Sequence, residues 1–539
     1  CTEGDCADPS QPLNFASDPP IERKIMRMAH RVRWQHPAIH SRAIDQTRLV
    51  IEQPGMNSAE HSAFHFLVLG DSGTGRHRRH SPPRHIAERL LVHKDQAAFL
   101  LHTGDVVYLV GAATQYRTNF IRPYREWLCG NESWEKISPR KLLFNQPFLP
   151  VLGNHDYYDL APIIATLAGL TLPVRRHLQW FHDVDTSWRG SDLGGGFAHA
   201  FMDMLSDVPS SRLDEYLDRH YMGEWDGRRC LQYRPGIHTR LPNRYYRFRH
   251  AGVDVFALDS NTLIAPLSGS GDDDRAQLRQ QLRALDDEQN RCLKALSLQA
   301  RDEQHRDELM DDLETLQEER LDLQRRLHRH AAEDGDQLTW LRDGLIASHR
   351  DPSTRGRILT LHHPPYVTER TKWSQADTLG IRQRLRNVLD DVNRALGREN
   401  RSLRTVDLVL SGHAHCLEIL RTHDTGHGDS FTNWVVCGGS GYSLRDQRGQ
   451  GPELTESGNR GEPRMIATSD LYVGRRWADC NGGKAYSALR VDISEGHPLK
   501  IRLTPLISNR EENGWNEITM DPIELPQADQ LSTTIPAAD

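Results

Sequence analysis

Six stretches of the chain share one pattern, an unbroken apolar run that ends abruptly in polar or metal-binding residues. They read "AFHFLVLGD" (63–71), "AAFLLHTGD" (97–105), "QPFLPVLGNHD" (146–156), "VDVFALDS" (253–260), "GRILTLHHPP" (356–365) and "TVDLVLSGHAH" (405–415). Runs of this length predict strands buried on both faces, as in a layered α/β fold. Ligands in such folds bind beyond the carboxyl ends of the strands, so the polar termini are expected to converge on one site.

Between the fourth and fifth runs the period changes. Leu278, Leu282, Leu285, Gln289, Cys292 and Leu296 follow alternating steps of four and three, and Leu309, Leu313, Leu316, Arg320, Leu323 and Leu327 repeat them beyond the polar "SLQARDEQHRDE". This spacing predicts two amphipathic helices packed as an antiparallel coiled-coil hairpin, inserted over residues 272–332. Each stripe runs for about 27 Å at 1.5 Å per residue, so the hairpin is expected to project as an arm. It is either purely structural or a surface for a partner or second subunit. A second insertion, residues 157–243, carries Trp180, Trp188, Trp225 and the run Gly194-Gly195-Gly196. A segment this long leaving a ligand-bearing strand is expected to cap the site.

Ahead of the strands, Ile21, Ile25, Met28 and Val32 keep helical spacing after Asp18-Pro19-Pro20, which predicts a docking helix in an N-terminal extension, residues 1–60. The main domain is then 61–505. Residues 506–539 form a C-terminal extension whose Pro-, Ala- and Thr-rich end is expected to be disordered.

Composition narrows the chemistry. A hydrophobic fraction of 37% and a mean hydropathy of -0.65 describe a soluble chain with a sizeable core. No run approaches the roughly 18–20 apolar residues of a transmembrane segment. The net charge of -7 argues against a nucleic-acid binder working by bulk charge, and no nucleic acid is required. Eight scattered cysteines without C-x-x-C spacing form neither a disulfide framework nor a zinc ribbon. A start at Cys1 fits a processed lipoprotein end or, more commonly, trimming. No signal peptide is visible, so localisation stays open between cytoplasm and cell envelope. The 28 histidines are the compositional anomaly, since imidazole is both a metal ligand and a general acid.

The stretch "FLVLGDSGTGRHRRH" (66–80) has the glycines of a phosphate loop, but Arg76 and His77 stand where that loop needs Lys and Ser or Thr. It also lacks the third glycine of a dinucleotide fingerprint. Asp71 must therefore be read with the other run termini: Asp105, Tyr108, Asn154, His155, His362, His413 and His415. A mixture of carboxylate, amide and imidazole is wrong for a zinc finger and suited to two hard or borderline cations.

Taken in order, "GDSG", "GDVVY", "GNHD", "LHHPPY" and "GHAH" make the chain similar to the calcineurin-like metallophosphoesterase superfamily. The tyrosine of the second box makes it similar to the purple acid phosphatase branch. The resemblance covers roughly residues 60–505, interrupted by the two insertions. It implies a four-layer αββα metallophosphoesterase sandwich and a dinuclear metal centre. Asp71, Asp105, Tyr108 and His415 would hold the first metal, and Asp105, Asn154, His362 and His413 the second, with Asp105 shared. His363 competes for the place of His362, but the superfamily puts the ligand two residues before the proline. Most of the superfamily begins with Asp-x-His, and here Gly73 stands in the histidine's place; Tyr108 can supply the missing ligand. A phenolate favours Fe(III), which implies Fe(III) paired with Zn, Mn or Fe(II), the alternative being two Mn or Zn.

The activity so implied is hydrolysis of phosphate esters, phosphomonoesters first, by in-line attack of a metal-bound hydroxide. His155 would assist the leaving group and Asp156 would orient its imidazole. Arg76, His363 and Tyr442 are the candidates for contacts to substrate. One alternative is a phosphodiesterase or nuclease on the same metals. Another is an interaction protein that works through its hairpin.

Overall fold

The computed structural model describes residues 16–52, 61–73, 81–108, 110–160, 190–266, 275–298, 303–327, 333–397, 404–457, 462–477, 483–511 and 514–526. All six apolar runs form strands: β1 (Phe64–Leu69), β2 (Leu100–His102), β3 (Phe148–Pro150), β4 (Val253–Ala257), β5 (Gly356–Thr360) and β6 (Leu408–Ser411). They divide between two sheets, a separation the sequence pattern does not mark. Strands β1, β2 and β3 pair in parallel at the edge of a seven-stranded sheet, Leu67 opposite Leu100 and Leu101 opposite Leu149. Strands β4, β5 and β6 pair in parallel within an 11-stranded sheet, Val255 opposite Ile358 and Leu359 opposite Val409. Parallel pairing in register brings each set of carboxyl ends to one edge.

Among the described residues, the helices of 11 residues or more are α1 (Ile21–Arg31), α2 (Pro82–Lys94), α3 (Arg275–Leu298), α4 (Glu303–Leu327), α5 (Gly335–Arg350) and α6 (Ala376–Ala395). Successive residues of a strand face opposite ways, and the larger sheet uses both faces for burial. Val255, Ile358, Leu408 and Val435 join the core shared with Val68, Leu101 and Leu149 of the smaller sheet. Their neighbours Phe256, Leu359, Val409 and Val436 pack with Leu341 and Leu345 of α5 and Ile381, Leu385 and Leu389 of α6. This explains runs without alternation: each fully buried Val, Leu or Ile contributes roughly 1.5–3 kcal/mol on either face. Helix α2 packs on the smaller sheet. The result is a mixed α/β body of large sheets and helices.

The helices α3 and α4 run antiparallel, with Arg320 Nε 2.6 Å from Asp286 Oδ1 and Cys292 Sγ donating to the Leu309 carbonyl at 2.9 Å. Helix α4 does not stand clear of the body as expected. Its apolar stripe faces α3, but Thr315, Glu318, Asp322 and Arg325, again in steps of three and four, dock on the body. Arg445 donates to Thr315 Oγ1 at 2.7 Å, Lys372 Nζ lies 2.5 Å from Glu318, and the Ala376 amide donates to Asp322 at 2.7 Å. Arg325 reaches Asp377 at 3.1 Å and Asp18 at 3.0 Å.

The expected domain edges fall inside the fold. Within the N-terminal segment, Ile44–Ile51 pairs in parallel with Arg228–Tyr233 and so joins the larger sheet. Residues 190–243 of the first insertion are woven in as well, through that strand and through buried Phe197 and Phe201; Trp180 and Trp188 lie outside the described residues. The edge at 505 cuts the strand Ile501–Glu511, which pairs on with Gly514–Thr519. The extreme ends, including Cys1, are outside the described residues. Among those described, no helix is long and apolar enough to cross a membrane, and Cys129, Cys230, Cys292, Cys416 and Cys437 are free thiols.

Candidate metal centre

Strands β1, β2 and β6 deliver their polar residues on a backbone that bends sharply just past the strand. Asp71, Asp105 and His413 have φ of 53°, 55° and 67°, a region that non-glycine residues enter at a cost of roughly 1–3 kcal/mol and that clusters at functional sites. Close packing fixes these turns. A Cβ at Gly153 would stand 2.0 Å from Asp105 Oδ1, so only glycine lets the third box close on the second.

Around Tyr108 the first constellation assembles. Its hydroxyl lies 2.9 Å from Asp71 Oδ1, 3.0 Å from Asp105 Oδ2 and 3.0 Å from His415 Nε2. A Cβ at Gly73 would meet Tyr108 Cδ2 at 2.4 Å, so the tyrosine ring fills the space a side chain at 73 would need. Tyr442 stacks flat on that ring, with centroids 3.8 Å apart and planes within 2°, which holds the phenol in one orientation.

The second constellation shares Asp105. His362 Nε2 lies 2.8 Å from Asn154 Oδ1 and 3.3 Å from Asp105 Oδ2, while its Nδ1 is 2.8 Å from the Thr103 carbonyl. With Nδ1–H donated to that carbonyl, Nε2 faces Asn154 Oδ1 and Asp105 Oδ2, and a cation bound there would take the place of its proton. The ligating atoms of Asp71, Asp105 and His362 fall within 4.8 Å of one another, as do those of His362, His363 and His413. His363 thus stands beside the site, with its Nδ1 2.9 Å from Ser260 Oγ. The His413 amide donates to Asp71 Oδ2 at 2.9 Å.

The electrostatics fit cation ligation. Burial, reinforced by Asp105, pushes Asp71 well above the ordinary carboxylate range. Burial likewise drives His363, His413 and His415 down, keeping them as neutral imidazoles. At His362 the attraction of Asp105 overrides burial and raises it to about 9. His413 Nε2, His363 Nε2 and Asn154 Nδ2 are buried without a hydrogen-bond partner. Crowded carboxylates, lone-pair nitrogens and orphaned polar atoms in one water-poor spot are a donor set that metal ions would satisfy.

His155 and Asp156 follow Asn154 directly. The His155 amide donates to Asp105 Oδ1 at 2.8 Å, and its ring lies 4.3 Å from that of Tyr108. The Asp156 carboxylate takes up the backbone amides of Gly153 at 2.9 Å, Asp105 at 3.1 Å and Val106 at 3.2 Å. Its geometry is that of a clamp on the Asp105 turn rather than of a partner chosen for the His155 ring. Arg76 lies outside the described residues. Lys372, Arg445 and Glu318 were not found from sequence. The available signal was the polar stripe on α4, which reads as a wet helix face until its partners are known.

Residues 64–238 match the family model described as calcineurin-like phosphoesterase, so the chain carries that domain over those residues. The matched span ends before His362, His413 and His415, which the fold brings to it. No curated protein matches the chain. Among solved structures, the purple acid phosphatase PPD1 from yellow lupin (Lupinus luteus) seeds is similar at 10% identity and TM-score 0.43, over 91% of this chain and 59% of that one. GAP50, the anchor in the inner membrane complex of Plasmodium, is similar at 11% identity and TM-score 0.35, over 85% of this chain and 90% of its own. The chain thus spans 59% of the length of the first of these.

Proposed function

We propose that this chain, with its calcineurin-like phosphoesterase domain, is a dinuclear-metal hydrolase of phosphate esters, phosphomonoesters first. The observation that carries the reading is the Tyr108 hydroxyl within about 3 Å of Asp71, Asp105 and His415, beside a second ligand group on the same Asp105. Asp71, Asp105, Tyr108 and His415 would hold one cation, and Asp105, Asn154, His362 and His413 the other, in a four-layer metallophosphoesterase frame. Bound there, two cations would activate water and neutralise phosphoryl charge, Fe(III) being favoured at the tyrosine. Asp156 acts by fixing the turn that aims Asp105. The His155 imidazole, held against the Tyr108 ring, carries the proton for the leaving alkoxide oxygen. Tyr442 keeps the phenol in plane, and the burial of the whole group excludes bulk water.

The test is metal content and a visible spectrum of the purified protein, with turnover of p-nitrophenyl phosphate against bis-p-nitrophenyl phosphate. A tyrosinate-to-iron band that disappears in Tyr108→Phe, together with preferred monoester turnover, is the expected result. A colourless, iron-free, active protein would overturn the iron assignment. Loss of both turnovers under every metal tried would overturn the hydrolase reading, and preferred diester turnover would make the protein a phosphodiesterase.

A further inference from the structure

Lys372 carries a deeply buried ammonium on the body beneath α4. It is 1% exposed and sits 2.5 Å from Glu318 Oε2 of α4. A cation at that depth needs a partner, because an unpaired buried charge costs several kcal/mol. Its partner comes from the inserted helix, not from the body that carries the ligands. One turn earlier on the same face, Thr315 accepts from Arg445, and the Arg445 amide donates at 3.1 Å to the carbonyl of His415. The Arg445 backbone therefore abuts the ligand cluster, and the side chains of Arg445 and Lys372 meet successive turns of the same α4 face.

From this arrangement, and resting on the phosphate-ester reading above, we infer that Lys372 and Arg445 form an anion subsite that recognises the dianionic phosphate of a monoester. The Glu318 carboxylate occupies that subsite as an internal stand-in when α4 is docked. With Glu318 in place the two cations keep a net charge of +1, and a phosphate dianion in its stead neutralises both. A phosphate dianion entering between Lys372 and Arg445 replaces one carboxylate, so neither cation is left bare at any stage. A diester, with a single negative charge, competes less well with Glu318, and the same pair therefore sets monoester preference. Glu318, Thr315, Asp322 and Arg325 share one face of α4, so displacing the carboxylate loosens a docked helix rather than turning a single side chain.

The experiment is calorimetric titration of the metal-loaded full chain with inorganic phosphate, in wild type, Glu318→Gln, Lys372→Met and the double variant Glu318→Met/Lys372→Met. Glu318→Gln is expected to bind phosphate at least tenfold tighter and Lys372→Met at least tenfold weaker. The ratio of monoester to diester kcat/KM falls at least tenfold in Lys372→Met. Phosphate affinities within twofold of wild type in both single variants would overturn the subsite and leave the pair as a docking pin. Should Lys372→Met not fold, the double variant, which leaves no unpaired charge, must bind phosphate at least tenfold weaker than Glu318→Gln, and equal affinity in those two overturns the subsite too. Because the titration reads binding, a chain that hydrolyses neither ester would overturn the hydrolase reading while the subsite is still judged by phosphate affinity.

Discussion

The ends of the six core strands and the docked face of α4 are built from the same kinds of residue, yet they work by opposite logic. At the strand ends, polar groups gather with too few partners: Asp71 and Asp105 crowd together, and His413 Nε2 is orphaned. On α4, Thr315, Glu318 and Asp322 each meet a partner in the body and Arg325 meets two. Unsatisfied burial is tolerated where an ion or substrate completes the set, whereas satisfied burial is how a polar helix face is attached. The difference separates a polar cluster left open for an ion from a polar face already satisfied by protein partners, without reference to any motif.

The sharpest way to break the comparison is to remove the shared carboxylate. On the proposed reading Asp105 serves both constellations, so Asp105→Asn should lower kcat roughly a thousandfold or more while leaving the fold intact. Mass-spectrometric metal content should fall from two ions per chain to at most one. Two bound metals in that variant would show that Asp105 is not the bridge.

The docked face responds differently. Arg325→Met leaves Asp18 and Asp377 facing a missing charge in a buried setting, and removing one partner of such a group costs about 3–5 kcal/mol. The expected outcome is a clear drop in melting temperature, with metal content unchanged and hydrogen exchange rising along α4. Were α4 a free arm, as its stripe alone suggests, the substitution would fall within roughly 0.5 kcal/mol of neutral.

That contrast also marks what was legible in the sequence. The polar boxes that the fold brings together could be read because each is a chemical exception set against an apolar run: an acid after "FLVLG", two histidines after "LVLSG". Strand burial and the α3–α4 stripe were legible for the same reason, since periodicity is a local property. The division of the six strands between two sheets was not, because register is set by pairing across the fold. Nor was the docking of α4. Polar residues on one helix face default to water, and their partners Lys372, Ala376, Asp377 and Arg445 lie 51 or more residues away in the chain or in loops without pattern. Neither Ile44–Ile51 nor Gly514–Thr519 carries a long unbroken apolar run, so the sequence pattern does not show that they join the two sheets.

The smallest effect tests the docked face most finely. Asp322 accepts the Ala376 amide at the first turn of α6, supplying from another helix the cap that α6 lacks in its own sequence. Burial and the nearby Asp377 hold its carboxyl above the ordinary 3.8. The stability from this raised value is complete below 3.8 and is lost as pH climbs through the folded-state value. Asp322→Asn keeps an oxygen for the Ala376 amide but cannot ionise. Melting temperatures taken from acidic to neutral pH should therefore show wild type losing ground to the variant as pH rises, by less than the Arg325→Met effect. Parallel curves would mean an unshifted, solvated carboxylate, and α4 would then be the wet arm that its sequence pattern describes.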